Sequence, residues 1–572
     1  MQSNNSIYKK TNSALFSKNK LSAAIKFALV THTLAGGLAF GQVTVGTGGS
    51  APTGATVSGD LGTGVAGTVT VTQADATSVS LVNWDAFNLS SNQTVDFIQG
   101  TNATAQYHVL NFITGGGSTI DGTISSASNG FIYLFNADGF VFSGNASVNV
   151  GSFFVSTLDG PSGNDAARIA ALSTGLDLDG ASGNAGIITI DSGATLITTN
   201  STDGSMDFVS KQFVSNGGLT VAGVLRVYAS ETATIQIGGS PFEIAVTGLS
   251  NLDAAEADDM VSFSGGVVSA ASVIIDARQD TSTALAVNTQ GITSLEATSG
   301  NVTIDTTGAV QFGGDININS LLDVTAIGSV TQSSGDINAG STSVDTTNAA
   351  ITLNQTTNVL GSFAGTSGSG NITLVDNAVS ADLDLGAITT SGDLSVTSNL
   401  QSITDSGAID VGGTATFTTS ASGEGVTLDE ATNNFGTSFV ASTNAGTVSV
   451  RDTNAISLGA VTASSLIVNA GGAVTQTAAL TVPTISVTST GVGANGNVTL
   501  TQANDFDNAT LSGVDVSVTD ADDINFAALT ATGNATVLST AGSITDSGTV
   551  AVTGTGSFTT SGAGQTITLD EA

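Results

Sequence analysis

The chain of 572 residues contains no cysteine, four prolines, one tryptophan and two histidines. Without cysteine there are no disulfide staples, no thiolate nucleophile and no thiolate-bound metal. His32 and His108 alone leave no material for a histidine-rich metal site. Basic residues are scarce as well: ten Lys and Arg face 46 Asp and Glu, for a formal net charge of −36. Such a chain repels phosphate backbones and anionic lipid, which argues against nucleic-acid binding. Beyond the N-terminal region, no segment approaches the ~18 consecutive apolar residues of a membrane-spanning helix.

What is abundant is Gly, with 71 copies, among Ser, Thr, Asn, Val, Ile and Ala. β-Branched residues suit a pleated surface and Gly suits tight corners, so many short strands are expected. Charge is segregated. Lys9, Lys10, Lys18, Lys20 and Lys26 fall within the first 42 positions, which hold no acidic residue. The apolar stretch 27–40 (FALVTHTLAGGLAF) follows, and Ala39-Phe40-Gly41 gives the small-x-small pattern of a signal-peptidase site. Residues 1–41 therefore read as a signal peptide with an extended basic region.

The remainder repeats itself. Residues 402–431 (SITDSGAIDVGGTATFTTSASGEGVTLDEA) reappear, with changes, at 543–572, an offset of 141. A weaker half-period lies inside it: Val330, Ile403, Val474 and Ile544, each followed by Thr and then Gln or Asp, are 73, 71 and 70 residues apart. Short alternating runs such as 371–374, 447–450 and 514–518 place one face inward and one outward. No stretch has the spacing of a long amphipathic helix. Strands recurring for hundreds of residues without helical crossovers predict an all-β solenoid, a right-handed parallel β-helix of about two dozen coils at roughly 20–25 residues each. A string of immunoglobulin-like sandwiches is the rival, but a 70-residue unit is short for it and Trp84 is the only tryptophan. Residue 572 closes a repeat element that, at 427–431, runs on into further sequence. No capping segment for the last coil is visible, so the natural chain is expected to continue.

The most specific text begins at residue 82. VNWDAFNLSSNQTVDFIQ (82–99) precedes YHVLNFITGGGSTIDGTISSASNGFIYLFNADGFVFSGNASVNVGSFFVSTLD (107–159). This resembles the N-terminal secretion domain of filamentous-haemagglutinin-like exoproteins of the two-partner secretion family. The elements that match are Trp84, Phe87 and Asn88; Leu110 and Asn111; Ile120 and Gly122; Asn136, Asp138, Gly139 and Gly144; and Val150, Gly151, Val155, Ser156 and Thr157. Looser coil-like text runs through 205–230. Ala137 replaces the pattern's Pro, Asp138 its second Asn, and Phe112 stands where Arg commonly follows Asn111. Asp-Gly still supplies turn chemistry at 138–139.

The resemblance implies a domain plan of signal peptide at 1–41, secretion domain at 42–240 and repetitive β-helical shaft at 241–572. It implies export to the surface or medium of a Gram-negative-type bacterium through an outer-membrane β-barrel transporter. Asn111, Asn136, Asp138 and Gly139 are its candidate secretion-motif residues. It also accounts for the missing cysteines, since a disulfide would hinder an unfolded chain threading a pore. The expected role is adhesion to a host, cell or matrix receptor, with no enzyme activity, cofactor, metal or integral membrane span. A β-helical polysaccharide lyase or hydrolase and a structural matrix or surface-layer protein are the alternatives.

The remaining candidates favour architecture. His108 reads as a strand-face residue, and the acidic runs at 253–259 and 520–523 as solvated loops rather than Ca²⁺ sites. Thr-Leu-Asp-Glu at 427–430 and 568–571 puts adjacent carboxyls on opposite strand faces, unlike a glycosidase pair. Arg168, Lys211, Arg226, Arg278 and Arg451 are scattered singly, and Asn-x-Ser/Thr triplets at Asn102, Asn145, Asn301 and Asn371 are a weak signal in so Ser/Thr-rich a chain.

Overall fold

The computed structural model describes residues 43–45, 52–59, 66–73, 79–100, 106–160, 165–171, 174–179, 186–202, 204–237, 244–247, 249, 259–279 and 284–571. The expected signal peptide (1–41), residues 253–258 of the first acidic run and Asn102 lie outside them.

Parallel pairing of each strand with its equivalent about twenty residues later generates the architecture. Along one face Val310 pairs with Val330, Val330 with Ile351, Ile351 with Ile372, Ile372 with Leu394, and Leu394 with Ala415, steps of 20, 21, 21, 22 and 21 residues. A representative turn supplies Val330–Gln332 to this face, then bends within Ile337–Thr346 so that 337–339 and 341–346 form two further faces. The result is a β-solenoid of about 21 turns, close to the two dozen expected.

Alternation drives the chain into this form. Val302–Thr306, Ile372–Asp376 and Val516–Asp520 each bury every second side chain. The inward residues stack on their equivalents one turn away, all at most 1% exposed along the Val310-to-Ala415 column. Each buried Ile or Leu contributes about 1.5–3 kcal/mol, so the column is a continuous core rather than a set of separate ones. Phe417, Phe435 and Phe439 add an aromatic cluster, with centroids 5.2–6.1 Å apart.

Two early turns depart from the regular step. Phe140 pairs with Ile188 and Phe213 with Val261, each 48 residues on. The first excursion carries a short helix, Asp165–Ala171, and the strand Leu176–Asp179; the second carries Thr232–Ile237 and Ile244–Thr247. The three strands form an antiparallel sheet. A second apolar cluster joins residues of that sheet, including Leu176, Leu178 and Ile235, to Leu110, Phe131, Tyr133, Phe135 and Phe154 on the parallel strands. Those parallel strands are thereby covered on both sides: every residue of Tyr107–Ile113 and Gly130–Phe135 is buried.

Inside the shaft a buried polar cluster recurs. Asn358, Asn433 and Asn504 each accept the N–H of Ile337, Ile409 or Leu480 at 2.9–3.0 Å. Their amide nitrogens donate to Gln332, Asp405 and Gln476. These last three end the Val-Thr-Gln and Ile-Thr-Asp markers that set the half-period. A second set, Asp376, Asp452 and Asp520, caps Leu360, Phe435 and Phe506 N–H at 2.9–3.0 Å and also the N–H two residues downstream. The expectation that 520–523 is a solvated loop is therefore corrected at Asp520, which is fully buried, while Asp522 and Asp523 are exposed. A corner that turns back into the core needs an acceptor for its amide, and the carboxylate supplies it.

The repeated Thr-Leu-Asp-Glu is explained in the same way. Asp405 accepts the N–H groups of Asp429 and Glu430, and Asp546 those of Asp570 and Glu571, at 3.0 and 3.3 Å in both copies. Burial raises the carboxyls of Asp376, Asp405 and Asp452, and pushes that of Asp520 up to about 7. In the unfolded chain Asp520 titrates near 3.8, so the folded state holds a proton that unfolding releases between these values. Its contribution is fully present below the lower value and is lost as pH rises through about 7. Between pH 8 and pH 5 the denaturant midpoint of the wild type should rise on acidification relative to that of Asp520→Asn, while neutral buried His108 acts in the opposite direction in both proteins.

Candidate functional site

The family-like text at 82–159 folds into the first turns, where side chains of the candidate motif do two different jobs. Asn111 lies inside the strand Tyr107–Ile113, fully buried between Val82 and Leu134 of the flanking strands. A lone amide in so apolar a strand must find partners, and it does. Its Oδ1 accepts the Trp84 indole N–H at 3.0 Å, and its Nδ2 donates to the carbonyls of Tyr133 and Val109 at 3.0 and 3.1 Å. Trp84 meets Phe87 edge-on at 5.4 Å. The separated Trp84-x-x-Phe87 and Leu110-Asn111 elements are thus one cross-turn clamp.

Asn136, Asp138 and Gly139 form a single corner one turn later. Asn136 Nδ2 donates to the Gly116 carbonyl and to Ser118 Oγ, both at 2.9 Å, while its Oδ1 accepts the Asp138 N–H at 3.0 Å. The Gly139 N–H closes the turn on the Asn136 carbonyl at 3.0 Å. Gly139 has φ +101°, and a Cβ there would lie 2.9 Å from the Ile187 carbonyl oxygen. Only glycine satisfies both conditions without strain. Asp138 is exposed, and the hydrogen bond it adds to the corner is through its main chain. Ala137 in place of Pro leaves this Asx turn intact. Gly151 is required for space instead, since a Cβ would fall 2.4 Å from the Ser128 carbonyl oxygen.

The outer side of the same strands carries an aromatic stack. Phe112 lies face to face with Phe135 at 4.6 Å, and Phe135 is 5.5 Å from Phe154. The helix Asp165–Ala171 crosses it, setting the Arg168 guanidinium 4.4 Å above the Phe112 ring. Asp165 accepts hydrogen bonds from Asn83 at 3.3 Å and Thr53 at 3.4 Å. Position 112 has no basic residue of its own, but a guanidinium covers it from the helix. Sequence reasoning missed this helix because seven residues are too few for a periodic signal.

His108 is 3% exposed, stacked on Phe131 at 4.7 Å, with Nδ1 3.0 Å from the Tyr133 hydroxyl. Burial lowers its pKa to about 4 and keeps it neutral, as a packing residue. The scattered cations are also absorbed: Lys211 pairs with Glu231 and Arg226 with buried Asp207, each at 3.1 Å, and Arg278 with Asp276 and Asp305. Asn301 and Asn371 use their side-chain oxygens to accept N–H groups one turn on, from Leu321 and Asp393. Among the described residues no group of three or more His, Asp or Glu is arranged to hold a metal ion.

A family model for the TPS secretion domain matches residues 45–349, more than half of the chain. The chain belongs to the two-partner secretion family. A second model, described as repeats of unknown function, matches 369–442, 445–512 and 513–572 in succession. Among solved structures, the crystal structure of the HMW1 secretion domain from Haemophilus influenzae is similar at 18% identity, over 69% of this chain and 98% of that one, with a TM-score of 0.36. No curated protein matches the chain. This two-partner secretion protein is secreted or exposed at the cell surface of a Gram-negative-type system. Its family is structural and adhesive rather than catalytic, and pairs with an outer-membrane transporter. No helix among the described residues is long and apolar enough to cross a membrane.

The corner geometry makes a graded prediction for urea unfolding of the secreted chain. Asn136→Ala leaves buried groups unpaired and should cost about 1–3 kcal/mol. Gly139→Ala should cost a similar amount through backbone strain, about 1–3 kcal/mol. Asp138→Ala, at an exposed position, should stay within about 0.5 kcal/mol.

Proposed function

We propose that this protein is an adhesin whose first turns are the address read by its outer-membrane transporter and whose repeats form the adhesive shaft. In this reading residues 1–41 direct export across the inner membrane, 42–240 engage the transporter, and 241–572 present binding surface to a host, cell or matrix receptor. The observation that carries it is the family match over 45–349, which covers the Trp84–Asn111 clamp and the 136–139 corner. The clamp and corner support a recognition role for Asn111, Asn136, Asp138 and Gly139, because they fix the backbone course of the first turns. Folding that starts there propagates turn by turn, since each turn's contacts are with its neighbours. Release from the pore then draws the unfolded chain outward as each turn forms.

Co-expression with the cognate transporter tests the export half. Wild-type chain should appear in the medium or on the surface, while Asn111→Ala and Asn136→Ala accumulate in the periplasm. Normal export of both variants would remove these residues from the address. For the adhesive half, beads coated with secreted chain should adhere to cells or extracellular matrix; beads that adhere to neither would contradict the role.

A further inference from the structure

Over its central turns one face of the solenoid carries no charge on its outward strand positions, although the chain has a net charge of −36; farther along, Asp505 enters the face in register with Thr481. In consecutive turns the in-register outward residues are Thr331, Thr352, Thr373, Ser395 and Thr416. Upstream, from Thr119 through Asn288 and Gln311, the same column is also uncharged. Beyond Thr416 its next in-register member is the half-buried Val440, and past the irregular step at Phe439/Ala441 a neighbouring uncharged column runs through Ser457, Thr475, Thr499, Ser517, Thr536 and Ser557. A second lane runs beside it through Thr397, Thr418, Ser442 and Thr462. The other faces differ: Asp276, Asp305, Asp323, Asp345, Asp384 and Asp410 all sit at strand positions there.

The lane also contains a depression. A groove of about 300 Å³ crosses three turns, with Thr373, Ser395 and Thr416 along it and Asn371, Asp393 and Thr414 at the adjoining corner. Its polar groups are hydroxyls, an amide and one carboxylate, and the side-chain oxygens of Asn371 and Asp393 already accept main-chain N–H groups of the following turn.

We infer that this face is a binding surface for a neutral, extended polysaccharide lying along the solenoid axis. Hydroxyls donate and accept, matching a polyhydroxyl chain, while the threonine methyls meet its C–H surfaces. Spacing of ~4.8 Å between turns presents the same groups repeatedly, so contacts that are weak singly accumulate along a repeating ligand. Charge selects against the alternatives: an anionic glycan meets repulsion from the chain as a whole, and a cationic one would favour the acidic faces. The inference rests on the adhesive reading and gives it a ligand class.

Sedimentation of the secreted full chain with cellulose and insoluble xylan, with alginate beads as the anionic comparison, tests it. Wild type should bind a neutral polymer, with little change in raised salt, and should not bind alginate. The near-isosteric combination Thr373→Val, Ser395→Ala, Thr416→Val should weaken binding by on the order of a hundredfold, as expected for losing three hydrogen bonds worth about 1 kcal/mol each. Thr373→Asp with Thr416→Asp should abolish it. Thr530→Asp, on another face between Ser512 and Ala551, should leave it unchanged. Binding to neither neutral polymer, or wild-type binding by the near-isosteric combination, overturns the inference. So does dimerisation in ultracentrifugation that the same combination abolishes, because a second copy would then own the face. A chain that adheres to cells but to no neutral polymer loses this inference and keeps the adhesive reading; a chain that does neither loses both.

Discussion

The structure depends on satisfying main-chain amides at corners that turn back toward the core. A stack of strands pairs its own N–H and C=O groups turn on turn, but corners break that ladder, and a buried unpaired amide costs about 1–3 kcal/mol. This chain answers with Asn, Asp and Gln placed inside. Asn136 does so in the secretion domain, and Asn358, Asn433 and Asn504 with Asp376, Asp452 and Asp520 do so in the shaft. The same polar groups fix register, since each carboxylate oxygen has a particular amide to meet. Aliphatic columns alone would tolerate slippage, because Val, Ile and Leu substitute for one another along them.

The two regions of the solenoid differ in how many sides they bury. In the shaft one side of each strand faces the core and the other faces solvent, so alternation is clean and aromatics are few. In the secretion domain the excursions at 157–187 and 229–261 bring a second layer against the outer side, and the strands beneath it become apolar throughout. Most of the aromatic contacts belong here, among them Phe112 on Phe135 and His108 on Phe131. A doubly covered start gives a short segment its own core, which suits the proposed start of folding at the first turns.

Much of this was legible in the residues. Alternation and the 70-residue markers read out the solenoid because inward positions repeat in register, and the Gln or Asp after Val/Ile-Thr in three of the four markers proved to be the partner of a buried Asn. The candidate corner was legible because Asn-x-Asp-Gly is local turn chemistry. Asn111 was singled out by the resemblance, but its bond to Trp84, 27 residues away, needed the register of the turns. The second layer was hidden, since its strands are short and pair antiparallel across excursions that no period predicts. Asp520 was misread because Asp-Ala-Asp-Asp looks solvated throughout; only the strand phase shows that its first carboxyl points inward. The uncharged face emerged only when outward positions were aligned turn by turn.

Amide hydrogen exchange at the capped corners tests the central claim most directly. The N–H groups of Leu360, Phe435 and Phe506 should be among the slowest to exchange, comparable with mid-strand amides, and Asp452→Ala should accelerate exchange at Phe435 and Asn454 while leaving distant turns unchanged. Rapid exchange at those three amides in the wild type, or no effect of Asp452→Ala, would contradict the view that buried carboxylates and amides hold the turns in register.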